Sequence, residues 1–311
     1  MRPRTTSSGL LSTAAALAVA AAAAAGLGTA TPVHAALLAS DSASNYTSWP
    51  GTANVGGTAA LTTYSPIGNG TGFGTWSVSV QNNVNGPPYA GAFLSSSSGG
   101  YFGLYANQGS TGTVPVTTAI RQFSSSTGKA IGTLDVNQAF SVELQPGQGQ
   151  FGIGTGPSAV ASMSLDTISS TGTYTPVFTL AFTQDASNNY DLVTTITNSA
   201  GSKSYEATSN ALTLQQLQSG VNAAFALGTA GAYTLTISPA AGNTSLTGDL
   251  TYKGSVSGAI NGVAIINSDN ASNYNFNNLA ITAVTTPEPA TLGLLGLGAL
   301  GLVLLRRRTS A

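Results

Sequence analysis

The sequence predicts an all-β protein: a single antiparallel β-sandwich of the jelly-roll kind, with an apolar helix added at each end of the chain. Three observations carry this. Between residues 36 and 285, apolar and polar residues alternate with period two in short segments, the pattern of strands with one face in a core and one in water. Those segments are rich in β-branched and aromatic residues, and clusters of Gly, Asn and Ser separate them, as strand and turn chemistry demand. The long unbroken apolar runs lie only at the two termini.

The segments follow in order. Trp76, Val78 and Val80 alternate with Thr75, Ser77 and Ser79, and Phe140, Val142 and Leu144 alternate with Ser141 and Glu143. Tyr174 to Phe182, Tyr190 to Ile196, Tyr233 to Ile237 and Leu279 to Val284 read the same way. Asn-Gly pairs at 69, 85 and 261, Gly-Gly at 99 and Asp-Ala-Ser-Asn-Asn at 185 to 189 supply the turns. About a dozen strands result, which suits one sandwich better than two small domains. A single helical turn or two is expected around Leu212 to Leu217. Ser40 to Tyr46 is nearly repeated as Ser268 to Tyr274, which would suit a sandwich whose first and last strands run side by side.

Residues 1–35 have the three parts of a secretory signal. Arg2 and Arg4 give positive charge, Leu10 to Ala25 is small and apolar, and Val33-His34-Ala35 offers a cleavage site after Ala35. At the other end, residues 286–311 contain Pro287-Glu288-Pro289, then Ala290 to Leu305 without a charge, then Arg306-Arg307-Arg308. Sixteen helical residues reach roughly 24 Å, slightly short of the ~30 Å hydrocarbon core, a mismatch that bilayer thinning and arginine snorkelling absorb. The arginines should stay cytoplasmic and hold everything before Pro289 outside.

This ordered trio resembles the PEP-CTERM sorting signal of bacteria. The resemblance implies recognition by the membrane enzyme exosortase and release to the surface or the extracellular matrix. An LPxTG pattern, the mark of sortase tails, is absent. Lipid-anchor tails of the GPI kind do not normally end in arginines.

Composition narrows what the middle can do. The chain has 311 residues, no Cys, one His and only 6% charged residues, against about 25% in an ordinary soluble domain. Between the two terminal segments four basic residues face nine acids, a net charge of −5. A nucleic-acid partner therefore lacks its basic footprint. The only histidine, His34, precedes the cleavage site, so the mature chain has neither imidazole nor thiol for nucleophilic catalysis or a zinc site.

Gly70 to Trp76, Tyr101 to Tyr105, Ala119 to Phe123 and Tyr274 to Leu279 resemble, in order, segments of bacterial concanavalin A-like lectin or laminin-G domains. That resemblance implies a two-sheet jelly roll which in relatives often presents sugars. Glycosidases on this fold place acids closely on one strand, because two carboxylates must flank the scissile bond. Glu143 stands alone on its segment and Glu206 sits between Tyr205 and Ala207. No resident cofactor is expected. Asp185 to Asp191 offers oxygen ligands spaced for calcium, and the same residues equally make a polar hairpin loop. Trp49, Tyr89, Tyr101 and Tyr105 are candidate sugar platforms, since a flat ring stacks on a pyranose face. The expected function is that of a non-catalytic surface or matrix protein, structural or carbohydrate-binding, with an exopolysaccharide as partner. The alternative is a polysaccharide-acting glycosidase whose acids come from distant loops.

Overall fold

The computed structural model describes residues 35–283, apart from 48, 50–61, 65–71, 82–89, 96–99, 108–113, 125–131, 149–159, 171, 185–189, 199–200, 242, 244–245, 247 and 269. The signal segment before Ala35, the sorting tail, Tyr89 and Asp185 lie outside the described residues. Among the described residues, no helix is long and apolar enough to cross a membrane.

Among the described residues sixteen strands, rather than a dozen, form two antiparallel sheets. Sheet A runs β14 (Leu250–Ser255), β13 (Ala232–Pro239), β12 (Val221–Leu227), β7 (Gln138–Gln148), β16 (Asn270–Ala283), β5 (Tyr101–Ala106) and β4 (Ala90–Ser95). Sheet B runs β11 (Gly201–Leu212), β10 (Tyr190–Asn198), β9 (Tyr174–Gln184), β8 (Val160–Ile168), β15 (Gly262–Ser268), β6 (Val116–Phe123), β3 (Phe73–Gln81) and β2 (Thr62–Tyr64). The extra strands are the short or Gly-rich ones, such as β4 and β14, where alternation is too brief to read.

The first and last strands do lie side by side. β1 (Ala36–Asp41) pairs with the end of β16, from Ala36 opposite Ala283 to Asp41 opposite Leu279. The start of β16 pairs with β5 on that same edge, while β7 runs along the other. The handover from β5 to β1 falls at a bulge, where the register shifts between Asn277 and Ala280 and Asn278 adopts a left-handed φ of 50°. Asn tolerates that conformation better than most residues. The Asn277 side chain fills the gap: its Oδ1 accepts from Ala43 N and its Nδ2 donates to Gly100 O, both at 2.8 Å.

A short α-helix, α1 (Leu214–Ser219), starts two residues later than expected because Leu212 ends β11. Thr213 caps it, with Gln216 returning a bond to the Thr213 backbone, so two otherwise orphaned donors are satisfied.

Alternation sends Phe140, Val142 and Leu144 of β7, Phe225 of β12 and Leu235 of β13 inward, where they meet Phe178 and Leu180 of β9 and Leu165 of β8. Phe178 from sheet B packs tilted against Phe225 and edge-on against Tyr233 from sheet A, with centroids 4.9 and 5.2 Å away. Each such side chain contributes about 1.5–3 kcal/mol on burial, so this shared layer, inside one compact unit of Ala36–Val284, holds the sheets together.

A charged link crosses the same interior. Arg121 on β6 pairs with Asp41 at the end of β1, and neither side chain is exposed. Tyr46 Oη and Asn45 Nδ2 donate to the carboxylate at 3.0 Å, and Arg121 Nε donates to Gly74 O at 2.8 Å. The guanidinium lies 4.9 Å from the Phe73 ring centre and 5.1 Å from that of Trp76, an arrangement that favours a cation.

The outer side of sheet B carries a second, smaller apolar cluster of Ile120, Ile168 and Ala264, with Tyr174 and Ile266 packed on it. Asn261-Gly262, read in the sequence as a hairpin turn, serves this cluster instead. Asn261 accepts from Ile168 N at 2.5 Å and donates to Ile168 O at 2.9 Å, mimicking a neighbouring strand. Gly262 opens the floor, since an added Cβ would lie 2.2 Å from Ile168 Cδ1.

Candidate carbohydrate-facing site and sorting tail

With Phe140, Val142 and Leu144 turned inward, Glu143 and Gln145 of β7 fall on the outer side of sheet A. The ladder sets Asn222 of β12 and Asn277 of β16 on either side of Glu143. One step along, Gln145 is opposite Asn275, and Asn275 is opposite Gly103 of β5. Phe93 of β4 lies across Gly103, where a Cβ would be 2.2 Å from the Phe93 ring. Phe93 and Tyr105 adjoin, their ring centroids 6.4 Å apart. The outer side of sheet A thus carries rows of largely buried amides and one carboxylate running into a pair of half-buried aromatic rings.

Tyr101 ties the rows together. Its hydroxyl donates to Glu143 Oε1 at 2.8 Å, and Asn278 Nδ2 donates to Oε2 at 2.8 Å. Both carboxylate oxygens are satisfied, which is what makes a largely buried acid tolerable. Burial, reinforced by the Glu143 hydrogen bond and charge, pushes the Tyr101 phenol up to about 12. The hydroxyl therefore stays a donor to Glu143, and the Gln145 side chain hydrogen-bonds it in turn. Asn278 is exposed at the bulge. Among the described residues, no second carboxylate joins this network, and no group of three potential metal ligands gathers anywhere.

The structure sorts the predicted aromatic candidates. Trp49 is not a sugar platform: it is 5% exposed, enclosed by Trp76, Phe102 and Phe276 with ring centroids 4.8–5.9 Å away. A loop position in the sequence hid a core residue. Tyr101 and Tyr105 are half-buried on the outer face, and burial raises the Tyr105 phenol as well. Asp191 is half-buried on β10, its proposed calcium partner Asp185 lying outside the described residues. Sequence reasoning missed Phe93, Gln145, Asn275 and Asn278 as members of this face. The signal was present in Tyr274-Asn275-Phe276-Asn277, where aromatics alternate with amides, but only the sheet order shows which strands flank it.

Ala35 is exposed immediately before β1. At the opposite terminus, a family model described as the PEP-CTERM protein-sorting motif matches residues 285–308. The chain carries a PEP-CTERM sorting signal. The match spans Pro287, Glu288, Pro289 and the arginines 306 to 308, the residues singled out in the sequence. The signal marks an exported protein that is processed by exosortase, anchored transiently at the membrane and then released to the surface. Released protein should accordingly lack the tail: mass spectrometry of material outside the cell should find peptides up to β16 and none from Leu292 onward, whereas intact tail peptides would contradict processing.

No curated protein matches the chain. Among solved structures it is similar to the CBM2 module of Lactobacillus casei BL23 phage J-1 evolved Dit, at 13% identity and a TM-score of 0.41, covering 80% of this chain and 98% of that one. It is similar also to the botulinum neurotoxin serotype D binding domain, at 9% identity and a TM-score of 0.37, covering 84% of this chain and 51% of that one. A protein of unknown function from Shewanella oneidensis MR-1 matches at 13% identity and a TM-score of 0.31, over 93% and 100% of the two chains. Similarity at this level assigns no ligand.

Proposed function

We propose that the mature protein is a non-catalytic module of the cell surface or matrix, a jelly-roll sandwich that holds neutral polysaccharide on the outer face of sheet A. The observation that carries this is the Tyr101–Glu143–Asn278 network beside the Phe93–Tyr105 ring pair. Amide donors and acceptors at fixed spacing suit sugar hydroxyls, and the rings supply the apolar contact that aromatic faces give. The lone carboxylate, held at both oxygens, fits a positioning role: glycoside hydrolysis needs a second acid across the bond, and none joins Glu143 among the described residues. Individual contacts of this kind are weak, so attachment would depend on many sites along one polymer.

A glycan array with the released protein, with and without calcium, is the direct test. Tyr101→Ala should weaken binding about tenfold, corresponding to ~1.4 kcal/mol. Glu143→Gln, which keeps an acceptor for Tyr101, should weaken it far less. Polysaccharide hydrolysis that Glu143→Gln abolishes would replace this reading with an enzymatic one. Intact folding with no glycan bound would leave a purely structural role.

A further inference from the structure

The two ends of the sandwich differ in what they carry. At one end stand Ala36 and Ala283, paired across the β1–β16 ladder. Gln138, at the start of β7, is the partner of Ala283 on its other side, so Asp135 to Asn137 lie at this end too. The last strand residue, Ala283, is followed by only six residues, 284 to 289, before the apolar run at Ala290. Fully extended, six residues reach about 20 Å, and Pro287 and Pro289 restrict that segment further. A tail in the membrane therefore tethers this end, and no other, within about one tether length of the bilayer.

The surface there is suited to such a place. Among the described residues, three large hydrophobic side chains are exposed: Leu37 at 53%, Val136 at 45% and Val114 at 36%. Leu37 and Val136 both belong to the tethered end. Val114 precedes β6, whose Val116 pairs with Ser268 and Gln81 at the opposite end. The exposed Lys253 lines a groove of about 380 Å³ with Asn137, Leu227 and Thr234 at the tethered end. Asp135 is exposed at the same end.

We propose that the β1–β16 end, through Leu37, Val136 and the Lys253 groove, rests on the phospholipid surface while the tail is still embedded, and that the end bearing Val114 points away from the membrane. The N-terminus created by cleavage after Ala35 would then sit at the same contact, since Ala36 is opposite Ala283. Exosortase would meet the domain from this side, with the outer face of sheet A left free along its length.

The chain has no cysteine, so single labels can be placed cleanly. Leu37→Cys, Val136→Cys and Val114→Cys would each be made in the signal-cleaved precursor that keeps its tail. Each would carry an environment-sensitive fluorophore and be reconstituted in phosphatidylcholine vesicles containing a minority of phosphatidylglycerol and a headgroup-nitroxide lipid. Quenching several-fold stronger at 37 and 136 than at 114 is expected, falling to the level of 114 when the chain is ended after residue 284. Equal quenching at all three positions, or stronger quenching at 114, would overturn the proposal. Neither result bears on whether glycans bind sheet A.

Discussion

Replacing Arg121 with methionine should cost the domain about 3–5 kcal/mol, the usual penalty for stripping one partner from a buried ion pair. That is a large part of the 5–15 kcal/mol that separates folded from unfolded domains. Methionine fills most of the space between the Phe73 and Trp76 rings, so the loss would come from the Asp41 carboxylate left charged and unexposed. Two hydrogen bonds, from Tyr46 and Asn45, would remain to it. Adding Asp41→Asn removes the orphaned charge, its oxygen still accepting from Asn45 and its new amide nitrogen donating to the Tyr46 hydroxyl oxygen, which can turn to accept. The double variant should therefore recover at least half of the lost stability in urea unfolding. A double variant no more stable than Arg121→Met would show that cation–ring packing, and not charge pairing, is what the site provides. Because Asp41 ends β1, the same reasoning predicts that a mature chain begun after Asp41 fails to close the sandwich.

That pair also shows where the sequence was legible and where it was not. Period two marked β3, β7, β9, β10 and β13 because their buried inward residues are apolar, with Thr194 of β10 as an exception. The same parity was readable in β6, where Ala119, Arg121 and Phe123 share a face, so the arginine was inward by position. A charge on a core face reads as an error unless its partner is known, and Asp41 lies eighty residues away. Sheet order is likewise non-local: nothing near Glu143 indicates that Asn222 and Asn277 will flank it. The adjacency of β1 and β16 was the exception, hinted at by the twin Ser-Asp segments. Trp49 was misplaced for the converse reason, since the residues around it look like loop while its ring fills the core. The sorting tail was the most legible feature because its motif is contiguous and needs no folding to be seen.

Asp166 should make the stability of the domain fall as pH rises from about 4 to about 7, opposite to most carboxylates. Its side chain is fully enclosed on the outer side of sheet B, beside the Ile120–Ile168–Ala264 cluster and Tyr174. Ser164 Oγ donates to Oδ2 at 3.1 Å, while Oδ1 has no hydrogen-bond partner. Desolvation outweighs the bonds from Ser164 and the Ala264 backbone and lifts the carboxyl to about 7. An unfolded chain releases that proton near pH 4. Between the two values the folded state holds more protons than the unfolded one, so each step up in pH favours unfolding until the folded carboxyl ionises as well. The full difference corresponds to at most about 4 kcal/mol. Asp166→Asn imitates the protonated acid and cannot ionise. At pH 8 it should be more stable than the natural protein by on the order of 2–4 kcal/mol, a rise of roughly 5–10 °C in Tm; at pH 4 the two should nearly coincide. Tyr174, whose phenol burial and the Asp166 charge both raise, stays neutral across this range and does not blur the window. Thermal unfolding of both proteins from pH 4 to 8 decides it. Parallel curves would mean that water reaches the carboxylate, and a loss of stability in Asp166→Asn at pH 8 would mean that the charged form is the one the fold requires.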